Sequence, residues 1–443
     1  MTPAAGVPML LPHMRPQSIR SFLRANRRSL LLLLSMSFLY LFSYFQRLAI
    51  PGTIFDELQS DFGLSAGGVS LLGAVFLYVY GIMQIPTGIL ADRFGGARVL
   101  LAGGVLLVAG SLLFPLSGSL LVLYFTRALI GVGSSLIYVS VLKEVNELFA
   151  SRHFAVILGV VLFIGYTGGL VGTFPFERAS NAWGWRGSLL GMGGLSLLSL
   201  VFLAAALRIT RHASRERRIP TALILPLRRV LGNIRGYPVL VAFPLQFSLY
   251  FVVQGPIGKK MLEDATRISS ARAALVTFVM MAITIACTSV SGLLSRIAGN
   301  RRKPLAVFAG ALVVVSMLGI LLATRLSLPA AGFTVFYFLL AVSTVGSPMF
   351  MTTFKEQNPG RAAGTAIGVL NCATYLVIAL LSNSAGWVLD RFQDRAVRTA
   401  GSLLYPSEAY TVLFAILLAV AVLSFVSTLL IRETRGVQAK DEG

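Results

Sequence analysis

Apolar runs of 20 or more residues recur twelve times along the chain, each closed by a short polar or glycine-rich turn. A run of that length crosses about 30 Å of hydrocarbon as a helix. The pattern predicts spans at 32–57, 68–91, 98–120, 121–145, 155–176, 186–207, 237–257, 271–296, 304–325, 330–353, 361–387 and 407–431. The first run extends past residue 50 with no small-residue cleavage site before the next span, so it reads as a span rather than a cleaved signal peptide.

An Arg-rich segment at 208–236 splits these spans into two sets of six. An internal repeat supports the division. GILADRFGGAR after span 2 places Gly88, Asp92 and Gly95 at the spacing at which GLLSRIAGNRR after span 8 places Gly292, Arg296 and Gly299. Lys-Glu-x-Asn occurs at Lys143-Glu144-x-Asn146 and again at Lys355-Glu356-x-Asn358. Arg152 and Gly159 are spaced as Arg361 and Gly368 are. The expected architecture is all-α and integral to the membrane, with twelve transmembrane helices in two six-helix bundles around a central cavity. Its parts are an N-terminal segment 1–31, a bundle 32–207, the linker 208–236, a second bundle 237–431 and a tail 432–443.

Composition agrees with a lipid environment: 56% of residues are hydrophobic and only 12% charged, about half the charge of a soluble chain. A net charge of +21 would suggest nucleic acid in a soluble protein. Here Arg15, Arg20, Arg24, Arg27 and Arg28 precede span 1, and Arg208, Arg211, Arg215, Arg217, Arg218, Arg228, Arg229 and Arg235 fill the linker. The turn after span 1 holds Asp56, Glu57 and Asp61 with no base. By the positive-inside rule both termini are cytoplasmic, and no nucleic-acid partner is expected. Cys287 and Cys372 sit inside apolar spans without metal or disulfide spacing. His13, His153 and His212 lie in cytoplasmic segments, and no HExxH, nucleophile elbow or phosphate loop accompanies them. An enzyme, a metal site and a cofactor are therefore not expected.

These motifs resemble those of the major facilitator superfamily. GILADRFGGAR is similar to its signature between helices 2 and 3, TRALIGVGSS (126–135) to its helix-4 pattern, and WGWRGSLLGMG (183–193) to the start of helix 6. LYLFSYFQRLAIPGTIFDEL, with Arg47 and Pro51, resembles the first helix of organophosphate:phosphate antiporters and anion:cation symporters. Span 7, FSLYFVVQGPIGKK, lacks the arginine of the phosphate-ester exchangers and carries Lys259 and Lys260 farther outward. GYTGGLVG (165–172) resembles a helix-5 signature of drug:proton exporters, with Tyr166 where a proline is usual. Close helix packing is the plainer reading of those glycines.

In the superfamily the motif aspartate latches onto the start of helix 11 and pairs with arginines. The resemblance thus implies a latch of Asp92 with Arg93, Arg152 and the backbone near Arg361. The Lys143-Glu144 and Lys355-Glu356 pairs, by their repetition in both halves, join it with Arg98 in the expected gating set. The shape of the turn needs only its glycines, and the Lys-Glu pairs also fit a snorkelling lysine beside a solvated acid.

Arg47 is the sharpest feature. A charge at bilayer depth costs at least about 2.5–3.5 kcal/mol. No Asp or Glu occupies the middle of a span, so an anionic ligand is the natural counter-charge, with hydrogen bonding to carbonyls as the structural alternative. The expected solute contacts are Arg47, Gln46, Tyr44, Tyr250, Gln254, Asn371, Tyr138 and Arg127, with a structural or coupling role weighed for Arg127.

The expected function is secondary active transport of a small solute, an organic anion, by alternating access in a bacterial inner membrane. Proton-coupled transport of amino acids or other zwitterionic metabolites, multidrug export and a transporter-like sensor are the alternatives. A coupling proton or a counter-substrate, the lipid bilayer and a monomeric state complete the expectation.

Overall fold

The computed structural model describes residues 26–149, 151–212, 224–399 and 402–439, with the side chains of 151–156, 224–226 and 361 not described. The helices run α1 (Arg27–Ala49), α2 (Phe55–Phe62), α3 (Ala66–Phe94), α4 (Gly96–Leu116), α5 (Leu120–Leu148), α6 (Ser151–Val171), α7 (Phe174–Thr210) and α8 (Ile224–Gly232). The second half repeats this order with α9 (Tyr237–Gln254), α10 (Gly258–Thr266), α11 (Ser270–Ile297), α12 (Lys303–Arg325), α13 (Ala330–Val342), α14 (Ser347–Glu356), α15 (Ala363–Asp390) and α16 (Ser407–Leu429). A 3₁₀ turn at Ser343–Gly346 joins α13 to α14 as one span. A small hairpin pairs β1 (Val397–Thr399) with β2 (Ser402–Leu404).

Eleven helical stretches among the described residues are long and apolar enough to cross a membrane, and α6 adds a further apolar helix. The protein is an all-α twelve-span membrane protein. Two ends of the molecule are named for their residues: the Asp92 face, where α3 meets α4, and the opposite Lys259 face.

Two boundaries differ from those expected, each for a local reason. Span 1, expected to run to residue 57, ends as a helix at Ala49 because Pro51 has no N–H to continue the ladder. The chain turns there and restarts as the short helix α2. Span 7 stops at Gln254, before Gly255-Pro256, and restarts as α10. Span 6 begins where expected, just past a bend at Gly184, whose φ of 72° only glycine adopts cheaply, and a further helical segment from Phe174 precedes it. Apolarity continues through the breaks at Pro51 and at Gly255-Pro256, so hydropathy alone does not mark those two, whereas Glu177, Arg178, Asn181 and Arg186 flank the bend at Gly184.

Within the first half, α6 lies on α1 through GYTGGLVG. A Cβ at Gly165 would overlap the Tyr40 ring, and one at Gly168 would overlap the Leu41 carbonyl oxygen. The spacing of the glycines places them on one helix face, where they let two backbones touch without a hydrophobic driving force between them. The stretch therefore serves packing. Gly168→Val should destabilise the detergent-solubilised protein by about 1–3 kcal/mol, the usual cost of overpacking. Gly191→Ala, where a Cβ meets open space, should leave the melting temperature unchanged.

Candidate functional site: a buried arginine among tyrosines

Arg47 lies on the last turn of α1, and its side chain reaches back toward the middle of the neighbouring helices. It is 4% exposed. Nη1 donates to the Tyr375 hydroxyl of α15 at 2.8 Å. The guanidinium lies over the rings of Tyr80 (4.4 Å), Tyr44 (4.7 Å) and Tyr375 (5.1 Å). Nε and Nη2 have no hydrogen-bond partner. Tyr44 in turn packs on Tyr166 and Tyr40, and Tyr40 on Tyr138. Aromatic faces attract a cation, but more weakly than a carboxylate does. The site is thus a cationic centre walled by tyrosines from both halves.

The other expected contacts separate. Tyr44 and Tyr138 belong to this cage. Arg127 does not: fully buried, it donates from Nε to the Leu72 carbonyl, from Nη1 to Gln46 and from Nη2 to Ile50, each at 3.1 Å. All three guanidinium nitrogens are occupied, and two of the acceptors are carbonyls at the break in α1. This corrects its assignment as a solute contact: burial against a broken helix makes backbone its partner.

Gln46 donates to Ser111 on α4, which turns it away from the cage. Tyr250 accepts from Thr284 at 2.8 Å, and Gln254 donates to the Thr277 carbonyl, so both are engaged on α11. Asn371 is buried on α15, one position before Cys372. Tyr80 and Tyr375 lie outside the expected contact set. The signal that could have found the wall is the spacing Tyr40, Tyr44, Arg47, which puts two tyrosines and the arginine on one face of α1.

Beyond Arg47 the two halves close on each other. A Cβ at Gly52 would overlap the carbonyl oxygen of Gly255, so the breaks in α1 and α9 meet backbone to backbone. Asp390 at the end of α15 accepts from the Gly67 N–H and from the Ser65 hydroxyl (2.8 Å) at the start of α3. Its carboxylate meets the positive end of a helix dipole there. Lys259 reaches Glu177 at 3.1 Å, and Lys260 reaches Asp56 at 2.9 Å, both across the halves.

α3 and α15 touch from Gly67–Asp390 through Ser70–Gly386 to Gly81–Cys372. Seven residues on from Gly81, Gly88 lies on the same helix face, as Gly364 and Gly368 do relative to Cys372. At all three a Cβ would meet nothing within 4 Å. The helices therefore part below Gly81, and the molecule is closed at the Lys259 face and open toward the Asp92 face.

The Major Facilitator Superfamily profile matches residues 36–382. The chain belongs to the major facilitator superfamily. Inner membrane transport protein YajR of Escherichia coli K12 is 24% identical over 358 residues, covering 78% of this chain and 75% of YajR. Human solute carrier family 2, facilitated glucose transporter member 10, is 33% identical over 182 residues, 39% of this chain, and the chain spans only 32% of that protein's length. The crystal structure of a bacterial homologue of the human lysosomal transporter Spinster, inward-facing and unoccupied, has a TM-score of 0.72 at 16% identity, covering 91% of this chain and 97% of that one. That likeness is one of fold. Membership makes the chain a membrane transporter and not an enzyme.

In the transporter the residues of the Asp92 face pair within each half. Lys143 bonds Asp92 at 3.2 Å and the Ala91 carbonyl at 2.5 Å. Glu144, fully buried, contacts His212 at 2.6 Å and sits over Gly96 at the start of α4. In the second half Glu356 bonds Arg302 at 3.1 Å and Thr434 of the tail at 2.5 Å. Glu433 accepts the backbone N–H groups of Arg302 and Lys303 at the start of α12. Arg93 stacks beside Phe94, while Lys355 takes part in no ion pair among the described residues. Arg98 lies on the first turn of α4. The side chains of Arg152 and Arg361 lie outside the described residues. What the two copies of the turn share is shape: Gly95 (φ 83°) and Gly299 (φ 68°) occupy equivalent positions in the left-handed region.

Gly52→Ala should wedge the Lys259 face open. A Ser70→Cys reporter, buried beside Gly386, should then react with a maleimide applied from that face several-fold faster. Unchanged labelling would show that the Gly52–Gly255 approach does not limit closure.

Proposed function

We propose that this transporter moves a small organic anion by secondary active transport with alternating access. The observation that supports the reading is Arg47: a buried guanidinium between the halves, with two nitrogens unbonded and tyrosines in place of carboxylates around it. Burying a charge without a counter-ion costs several kcal/mol, and an anion entering from the open Asp92 face offsets that cost. Tyr44, Tyr80, Tyr138, Tyr166 and Tyr375 line its approach and offer hydroxyl donors to the carboxylate, sulfonate or phosphate oxygens of the solute. Solute at Arg47 also engages Tyr375, so binding is felt by both halves at once.

The moving parts in this reading are the bundles 32–207 and 237–431, joined by 208–236 and rocking about Arg47. The excess of arginine before span 1 and in the linker makes the Asp92 face cytoplasmic, with both termini there, in a bacterial inner membrane. Asp92 lies on the α3 face that carries Gly81 and Gly88. When the Asp92 face closes, it meets the start of α15 and exchanges its bond to Lys143 for the dipole of that helix. The transporter acts as a monomer.

A thermal-shift screen across carboxylates, sulfonates and phosphate esters should show one anion class stabilising the protein. Counterflow of that solute in proteoliposomes then tests transport. Arg47→Lys should weaken binding about 10-fold or more, because an ammonium cannot reproduce a bidentate fork. Arg47→Ala should abolish binding while the protein still folds, and wild-type affinity in that variant would remove the anion site. Asp92→Asn should raise cysteine labelling from the cytoplasmic side by weakening the closed state there. Equal labelling of the variant and the wild type would count against the latch.

A further inference from the structure

The Lys259 face is closed by charge as well as by shape. α10 places Lys259 and Lys260 side by side, each buried and each answered from both halves of the molecule. Lys259 bonds the Thr53 carbonyl at 2.8 Å and Glu177 at 3.1 Å in the first half, and Glu263 at 3.2 Å in its own. Lys260 bonds Asp56 at 2.9 Å in the first half, and Asp264 at 2.8 Å in its own. Asp264 also accepts from the Tyr410 hydroxyl and the Tyr405 N–H. When the halves part, each lysine keeps the acid four residues along its own helix, while Asp56 and Glu177 lose their cation and gain water.

The two lysines face five carboxylates, because Glu57 joins these four. Fully ionised, the closed cluster carries an excess of negative charge in a place with little water. Glu57 is the one member that forms no ion pair among the described residues. It sits on α2 next to Asp56, half-buried, with Lys259, Glu177 and Asp56 as its charged neighbours. Glu177 is 1% exposed, and its Oε2 faces the Lys259 ammonium at 3.1 Å. The cluster is thus short of a proton rather than of another base.

We propose that Glu57 is a proton-binding site of the gate: it takes up a proton when the Lys259 face closes and returns it when that face opens. Neutral Glu57 can be enclosed beside Glu177 and Asp56 without repulsion, whereas ionised Glu57 gains from hydration in the open state. In the closed molecule, burial pushes its pKa up to about 7, against the attraction of Lys259 and with the help of Glu177 and Asp56. In water a glutamate titrates near pH 4.3. A carboxyl whose pKa is higher in the closed state binds its proton more tightly there. The closed state is therefore favoured at low pH and loses that advantage as pH rises through about 7. Asp264 is also raised, to about 6 by burial against the opposing Lys260. Its partners Lys260, Tyr410 and Tyr405 all belong to the second half, so opening does not change its surroundings in the same way.

The test needs no solute. Spin labels on Ser60→Cys and Ser269→Cys, both exposed near this face, report the separation of the halves with Cys287 and Cys372 replaced by serine. In lipid nanodiscs between pH 5 and 8, the ratio of long to short distances should rise on the order of 50-fold, as linkage to a single carboxyl requires. Glu57→Gln, neutral at every pH, should keep the short distance throughout. A distribution that ignores pH in the otherwise unaltered protein overturns the proposal, and that measurement stands even if Glu57→Gln does not fold. A Glu57→Gln protein that responds to pH as the parent does also overturns it. Neither result bears on the anion site at Arg47.

Discussion

The break in α1 rests on Arg127. A helix cannot simply stop inside a membrane, because carbonyls that lose their partners find no water there. At Ile50–Pro51 the ladder ends, and Arg127 donates to the carbonyls of Gln46 and Ile50 on one side and of Leu72 on the other. One planar guanidinium thus fastens α5 to α1 and α3 and makes the bend tolerable in lipid. Everything at the Lys259 face depends on that bend. It sends Gly52 against Gly255, turns α2 so that Asp56 and Glu57 face α10, and leaves Arg47 on the last helical turn before the break.

The second half answers with the same device in a different sequence. α9 stops before Gly255-Pro256 and restarts as α10, as α1 stops before Pro51-Gly52 and restarts as α2. The repeat extends to the Asp92 face, where Gly95 and Gly299 make equivalent turns and where Glu144 and Glu356 each bind a group from the segment after their bundle. Charges differ between the copies while geometry is kept. Asp92 stands where the second half has Arg296, and the acids of α2 face the lysines of α10. A pair of related halves with unlike charges can attract each other at one face and be released at the other.

Charge inside the span region is handled in two ways. Arg127 is saturated by backbone and holds the fold. Arg47 keeps two nitrogens free and is held by tyrosine rings and one hydroxyl. Rings solvate a guanidinium enough to keep it in place but leave its strongest demand, an anion, unmet. The contrast between two buried arginines, one satisfied and one not, separates scaffold from candidate site more clearly than burial does.

The sequence by itself determined the twelve spans, the repeated glycine turns and the presence of arginines among apolar residues. Lipid makes these legible, since length, apolarity and cost of charge are properties of single segments. Hydropathy misplaced the ends of spans 1 and 7 because Pro51 and Gly255-Pro256 interrupt hydrogen bonding without interrupting apolarity. Only the tertiary structure decided which arginine is free, that Tyr80 and Tyr375 complete the cage, and that Asp92 holds Lys143 while Lys259 holds Glu177. Those contacts join residues far apart in the chain and exist only when the halves stand in a particular relation.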